Sequence, residues 1–210
     1  MKKTFVLVTL FVLPIVVYLF FASGVYNFGK LPILTENVVE LPFENNAISL
    51  KDKITILGFL GSDINTKKAN AFNLNQKIYK RFYEFSDLQF VMVVSEDTQP
   101  QVAALKKELG VITDIQKWQF VYLPTKEINN FFEGLKTNLT LDATLATPYV
   151  FIIDKDRNLR GRDDDEDVGT KYGFDATSVA DLNNKMVDDV KIILAEYRLA
   201  LKKNSADREK

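Results

Sequence analysis

Apolar residues along this chain fall into three patterns. The first is one unbroken run, Phe5 to Ala22, without a charged residue. As a helix it would rise about 27 Å, close to the hydrocarbon thickness of a bilayer, and a proline such as Pro14 is tolerated there. The second is a set of short runs: Ile54–Leu60, Leu88–Val94, Trp118–Leu123 and Tyr149–Ile153. Continuous apolar runs of this length predict strands covered on both faces. The third is helical spacing. Leu74, Ile78, Phe82 and Phe85 lie four, four and three apart. Val102, Leu105 and Leu109 mark a helix with Thr98 as its cap, and Ile128, Phe131, Phe132 and Leu135 mark another capped by Thr125. Val179, Leu182, Met186, Val190, Ile193, Tyr197 and Leu201 form the longest stripe, and Ser178 with Asp181 approximates a capping box.

The order after the first run is β-α-β-α-β-α-β-β-α. Buried strands alternating with helices imply an α/β sheet covered by helices, parallel through the crossovers. Closing on a hairpin and one helix is a thioredoxin-like arrangement. The divisions that follow are an N-terminal membrane anchor over 1–24, a tether over 25–50 with a short strand near Val38–Leu41, the domain over 51–204, and a polar tail over 205–210.

Lys2 and Lys3 precede the first run and the next basic residue is Lys30. This asymmetry keeps the N-terminus in the cytoplasm and sends the domain across, which implies a single-pass protein with an extracytoplasmic domain. A cleaved signal peptide is the alternative, although the run exceeds a usual signal core.

Charge and composition then remove whole classes of function. Lys and Arg number 27 against 28 Asp and Glu. Without a basic excess, nucleic acid is not an expected partner. The chain holds no Cys and no His. That excludes disulfides, thiol redox chemistry, thiolate or imidazole metal sites and Ser-His-Asp triads, leaving carboxylate, hydroxyl, amine and guanidinium chemistry. No cofactor is implied.

Few candidate groups remain. Ser62 and Thr66 sit where a strand turns into a helix, but a hydroxyl nucleophile needs a base and no motif places one. Asp154, Asp156 and Asn158 open like a calcium loop, yet Leu159 stands where its glycine belongs, so a turn is the better reading. Asp163, Asp164, Asp165, Glu166 and Asp167 are the densest charge run. They read as a solvated loop, with contact to a protein partner or a hard cation as alternatives. Phe131 and Phe132 could leave one ring exposed, though core packing is the default.

Several stretches carry a resemblance. Phe59-Leu60-Gly61-Ser62-Asp63-Ile64-Asn65-Thr66 lies at a strand-to-helix corner, Lys117-Trp118-Gln119-Phe120-Val121-Tyr122-Leu123 is a Trp-led strand, and Ala146-Thr147-Pro148-Tyr149-Val150-Phe151-Ile152-Ile153-Asp154 runs into an Asp-containing hairpin. With the N-terminal anchor, these resemble the Sco/SenC group, membrane-tethered thioredoxin-fold proteins that deliver copper to cytochrome c oxidase. The resemblance places the family's Cys-x3-Cys at Ser62 and Thr66 and its His at about Ala146, and implies a cis-proline at Pro148 beside Ser62. With neutral hydroxyls in place of soft donors, the family's copper and redox activities do not carry over. The resemblance thus implies a non-enzymatic accessory or scaffold factor. Its protein partners would be respiratory oxidase assembly components or another envelope complex. The competing expectation is an extracytoplasmic protein-binding module unrelated to respiration.

Overall fold

The computed structural model describes residues 2–22, 29–42 and 48–208. Helix α1 spans Lys2–Ala22 with Pro14 inside it. Its side chains are described over residues 6–19, where they are exposed. Among the described residues no helix is long and apolar enough to cross a membrane.

The chain then lays down β1 (Ile33–Thr35), β2 (Ile54–Gly61), α2 (Ile64–Leu74), α3 (Lys80–Phe82), β3 (Leu88–Ser95), α4 (Gln99–Gly110), β4 (Trp118–Leu123) and α5 (Thr125–Glu133). It closes with β5 (Ala146–Ile153), β6 (Leu159–Arg160), β7 (Arg162–Asp165), β8 (Gly169–Lys171), β9 (Phe174–Asp175), α6 (Val179–Asp181) and α7 (Val187–Arg208). The main sheet runs β1-β6-β5-β2-β3-β4, with β9 paired to β5. Strands β2, β3 and β4 are parallel, while β5 runs antiparallel to β2. This is the mixed α/β, thioredoxin-like order that the apolar runs predict.

Strand β2 is buried at all eight positions, as its apolar run requires. Alternation sends its side chains to two cores. Ile54, Ile56 and Leu60 meet Leu74, Ile78, Leu105, Met186 and Val190 on one face, and Leu57 and Phe59 meet Ile128, Phe131, Phe132 and Phe151 on the other. Each large side chain so buried contributes about 1.5–3 kcal/mol. Both Phe131 and Phe132 are spent here, Phe132 edge-on to Phe59 at 5.1 Å between centroids.

Several expectations are corrected. The N-terminal strand is Ile33–Thr35 and not Val38–Leu41, because β1 pairs with β6 while Val38 and Leu41 insert as single apolar anchors. The segment read as a tether is therefore packed on the domain over residues 29–42; residues 23–28 and 43–47 lie outside the described residues. Thr98 and Thr125 do not cap their helices: the Thr98 hydroxyl donates to the Ser95 carbonyl at 2.6 Å, and Pro124 occupies the cap before α5. Ser178 does cap, accepting from the Asp181 N–H at 3.2 Å. The long stripe starts at Leu182, since Val179 is 44% exposed and a π-turn over Leu182–Met186 resets the register into α7. A matching π-turn over Asn75–Tyr79 joins α2 to α3. Helix α7 runs to Arg208, into the segment read as a polar tail.

The acidic run is not a loop. Asp163, Asp164 and Asp165 belong to β7, which pairs with β8 across a turn holding Glu166 and Asp167. Lys185 accounts for this. Its ammonium lies 2.7 Å from Asp165, whose side chain is only 1% exposed, and 2.6 Å from Asp167. Arg162 adds a forked pair to Asp189, both contacts at 2.8 Å. The hairpin is thus bolted to the start of α7 by charge, a pairing that apolar periodicity does not reveal.

Candidate functional site

The corner between β2 and α2 holds the residues singled out from the sequence. Gly61 ends β2 at φ +62°, and a Cβ there would lie 2.0 Å from the Thr144 carbonyl oxygen. Only glycine fits that approach. The Ser62 N–H then donates to the same carbonyl at 2.8 Å, and the Ser62 hydroxyl reaches it at 3.3 Å. Asp63 caps α2, accepting from the Thr66 N–H at 3.4 Å, while the Thr66 hydroxyl donates back to the Asp63 carbonyl at 3.1 Å. Ser62 and Thr66 are both exposed, one helical turn apart, and both hydroxyl protons are committed to main-chain carbonyls.

The facing loop runs into β5. Asp142 organises it by accepting from the Thr144 N–H at 2.8 Å, the Thr144 hydroxyl at 2.6 Å and the Ala146 N–H at 3.1 Å. Its second oxygen meets the Lys67 ammonium of α2 at 2.8 Å. Burial alone would raise the Asp142 pKa. The Lys67 ammonium, the Thr144 hydroxyl and the two N–H donors outweigh it and hold the carboxyl well below the usual carboxylate range. Leu145 completes the turn at φ +62°, a conformation that costs an L-residue roughly 1–2 kcal/mol.

The sequence-selected residues converge only in part. Ala146 pairs with Leu60 across β5 and β2, so it reaches the corner, but it is fully buried. Thr144, whose carbonyl takes both Ser62 bonds, is the residue beside Ser62. Pro148 lies two residues further along β5, its carbonyl accepting from Ala176 at 2.9 Å. The expected cis bond is corrected: no cis peptide occurs among the described residues. The reversal ahead of β5 is made at Leu145 instead, so Pro148 stands within the strand rather than at its turn.

Sequence reading missed the Lys67–Asp142 pair, for which Asp142 two before Thr144 was the available signal, the spacing of a side chain that caps its own turn. It also missed Arg160. The residue is 3% exposed, and its guanidinium bonds Asp154 at 2.9 Å, Glu196 at 2.8 Å and, through Nε at 2.8 Å, the Leu31 carbonyl. Asp154 meanwhile accepts from the N–H groups of Asp156 and Asn158 at 2.9 and 2.8 Å. The Asp-x-Asp-x-Asn segment is therefore a turn closed on an arginine.

The corner's donor set does not fit copper. It offers two neutral hydroxyls whose protons are engaged and a buried methyl, where Cu(I) wants soft sulfur and Cu(II) imidazole. Among the described residues no group of three or more carboxylates is placed to hold a metal ion.

No protein-family model matches the sequence, and no curated protein matches it. Among solved structures the chain is similar to BsSco, a member of the Sco family of cytochrome c oxidase assembly proteins. Identity is 15% and the TM-score 0.51, over 78% of this chain and 97% of that one. It is also similar to a SCO1/SenC family lipoprotein from Bacillus anthracis str. Ames, at 14% identity and TM-score 0.48 over 81% and 99%. A thiol:disulfide interchange protein of the thioredoxin family from Chlorobium tepidum TLS gives 18% identity and TM-score 0.46 over 76% and 97%. At these identities the likeness to BsSco establishes the Sco-like thioredoxin fold and nothing finer.

Proposed function

We propose that this chain is a non-catalytic, membrane-tethered thioredoxin-fold protein that works by contact, as an accessory or scaffold factor in assembly of a respiratory oxidase or another envelope complex. One observation carries the non-catalytic reading: both corner hydroxyls donate to main-chain carbonyls, while the two carboxylates beside them are engaged elsewhere, Asp142 by Lys67 and the donors of its own turn and Asp63 by the Thr66 N–H. A general base must accept the nucleophile's proton, and neither hydroxyl is directed at either carboxylate. The Sco fold supports the oxidase connection, because BsSco belongs to a family of cytochrome c oxidase assembly proteins. The uncharged run Phe5–Ala22 behind Lys2 and Lys3 in the sequence supports a single membrane anchor with the domain on the extracytoplasmic side.

The test is a deletion strain with oxidase activity and membrane haem as readouts. Loss on deletion, with full rescue by the Ser62→Ala/Thr66→Ala double variant, is the expected result. Rescue by wild type but not by the double variant would restore a chemical role to the hydroxyls. Unchanged oxidase on deletion would remove the respiratory connection and favour a binding module with another partner.

A further inference from the structure

Charge is distributed unevenly along the chain. Residues 162–189 hold nine carboxylates against three cations, a net of −6 in a chain whose net charge is −1. All three cations are already engaged: Arg162 with Asp189, Lys171 with Asp181 at 3.0 Å, and Lys185 with Asp165 and Asp167. Asp163, Asp164 and Glu166 are exposed and make no ion pair among the described residues. Their negative field is therefore open to an outside cation.

Next to this hairpin, which contributes Val168 and Lys171 to it, lies a groove of about 310 Å³ where Leu139, Tyr149, Val168 and Tyr172 share the lining with the Lys171–Asp181 ion pair. Val168 stands at the hairpin turn, 60% exposed among carboxylates. The groove holds its shape because the Asp165–Lys185 and Arg162–Asp189 pairs fix the hairpin to α7, and because β9, next to it, pairs with β5. A groove with apolar side chains next to a hairpin of unneutralised carboxylates selects a partner with both features. We propose that the groove seats an extended segment of a partner protein that carries lysine or arginine on either side of an aliphatic or aromatic side chain. The apolar side chain enters between Val168 and Tyr172, and the flanking cations meet Asp163, Asp164 and Glu166. This deepens the reading of the chain as one that works by contact, and rests on it.

The experiment uses the full chain in nanodiscs of zwitterionic lipid and fluorescence anisotropy of a labelled heptapeptide alternating lysine with leucine. Two control peptides replace every lysine by glutamate or every leucine by serine. The basic apolar peptide is expected to bind about tenfold more tightly than either control, more weakly as salt rises. Asp163→Asn/Asp164→Asn/Glu166→Gln should flatten the salt dependence, and Val168→Ser should weaken binding at all salt concentrations. Tyr172→Ala should act like Val168→Ser, which changes an exposed side chain and leaves the fold intact. Equal binding of the glutamate peptide, no detectable binding of the basic one, or binding unmoved by Val168→Ser would overturn the proposal. Self-association of the chain abolished by the same variants would assign the groove to a second copy and also overturn it. Peptide binding in a protein whose deletion leaves the oxidase unchanged would keep the groove and discard the assembly role.

Discussion

The Ser62 corner and the Arg160 junction each tie distant parts of the chain together, and they do so in opposite environments. At the corner, Ser62, Thr66, Lys67 and Asp142 lie toward solvent, with the Lys67 and Asp142 side chains 23% and 41% exposed. At the junction, Arg160 and Asp154 are 4% and 1% exposed at the side chain, and the same arginine reaches Glu196 on α7 and the carbonyl of Leu31. An exposed ion pair is screened and adds little, whereas removing one partner of a buried pair leaves an uncompensated charge. The residues that look functional in the sequence are thus the ones the fold can lose, and an arginine without a motif is one it cannot.

The sharpest break in that comparison is Arg160→Ala. It leaves Asp154 buried and unpaired, so the expected loss is about 3–5 kcal/mol in urea unfolding, with release of the 29–42 segment to proteolysis. Arg160→Met, which fills the volume, is expected to release the same segment because the Leu31 carbonyl also loses its donor. Gly61→Ala comes next. The left-handed conformation alone costs an alanine about 1–2 kcal/mol, and the contact with the Thr144 carbonyl adds to it by forcing the two loops apart. Denaturant melts should show this effect exceeding that of any side-chain truncation at the corner.

Asp142→Asn gives a smaller, pH-dependent effect. The Asp142 carboxyl is held below its ordinary pKa when folded, so its contribution is present above the usual carboxylate range and fades as pH falls through that range toward the folded value. Thermal melts of wild type and Asp142→Asn should therefore differ near neutrality and converge in acid. A difference that grew in acid would mean the Lys67 pair is not what holds the loop. Smallest of all, Ser62→Ala and Thr66→Ala should each change stability by less than about 1 kcal/mol, since each removes one solvent-exposed hydroxyl bond.

What the sequence made legible follows the same division. The four apolar runs are strands β2 to β5, because positions that face a core on either side of the sheet must be apolar. The strand-to-helix corner at Ser62 was legible because an apolar run ending in Gly-Ser-Asp is a turn and a cap. Hairpin β7–β8 was not, since Arg-Asp-Asp-Asp has no apolar alternation and is held by Lys185 and Arg162 on elements that bring them near only in three dimensions. Nor was the burial of Ala146, because β5 does not alternate at its start: Ala146 and Thr147 are both buried and Pro148 and Tyr149 both half-buried. That burial bears on any attempt to rebuild a metal site: a histidine at 146 would overfill the sheet, and Thr144 turns its carbonyl to Ser62 but its hydroxyl to Asp142.

The central claim, that the corner keeps a thioredoxin-like shape without its chemistry, is tested most directly by titrating Cu(I) against a competing chelator. The full chain is compared with the Ser62→Cys/Thr66→Cys variant, which supplies two soft sulfur donors at the exposed corner. The wild type is expected to take no copper from the chelator and the variant to take one equivalent. Tight one-to-one binding by the wild type, lost in Ser62→Ala or Thr66→Ala, would contradict the claim.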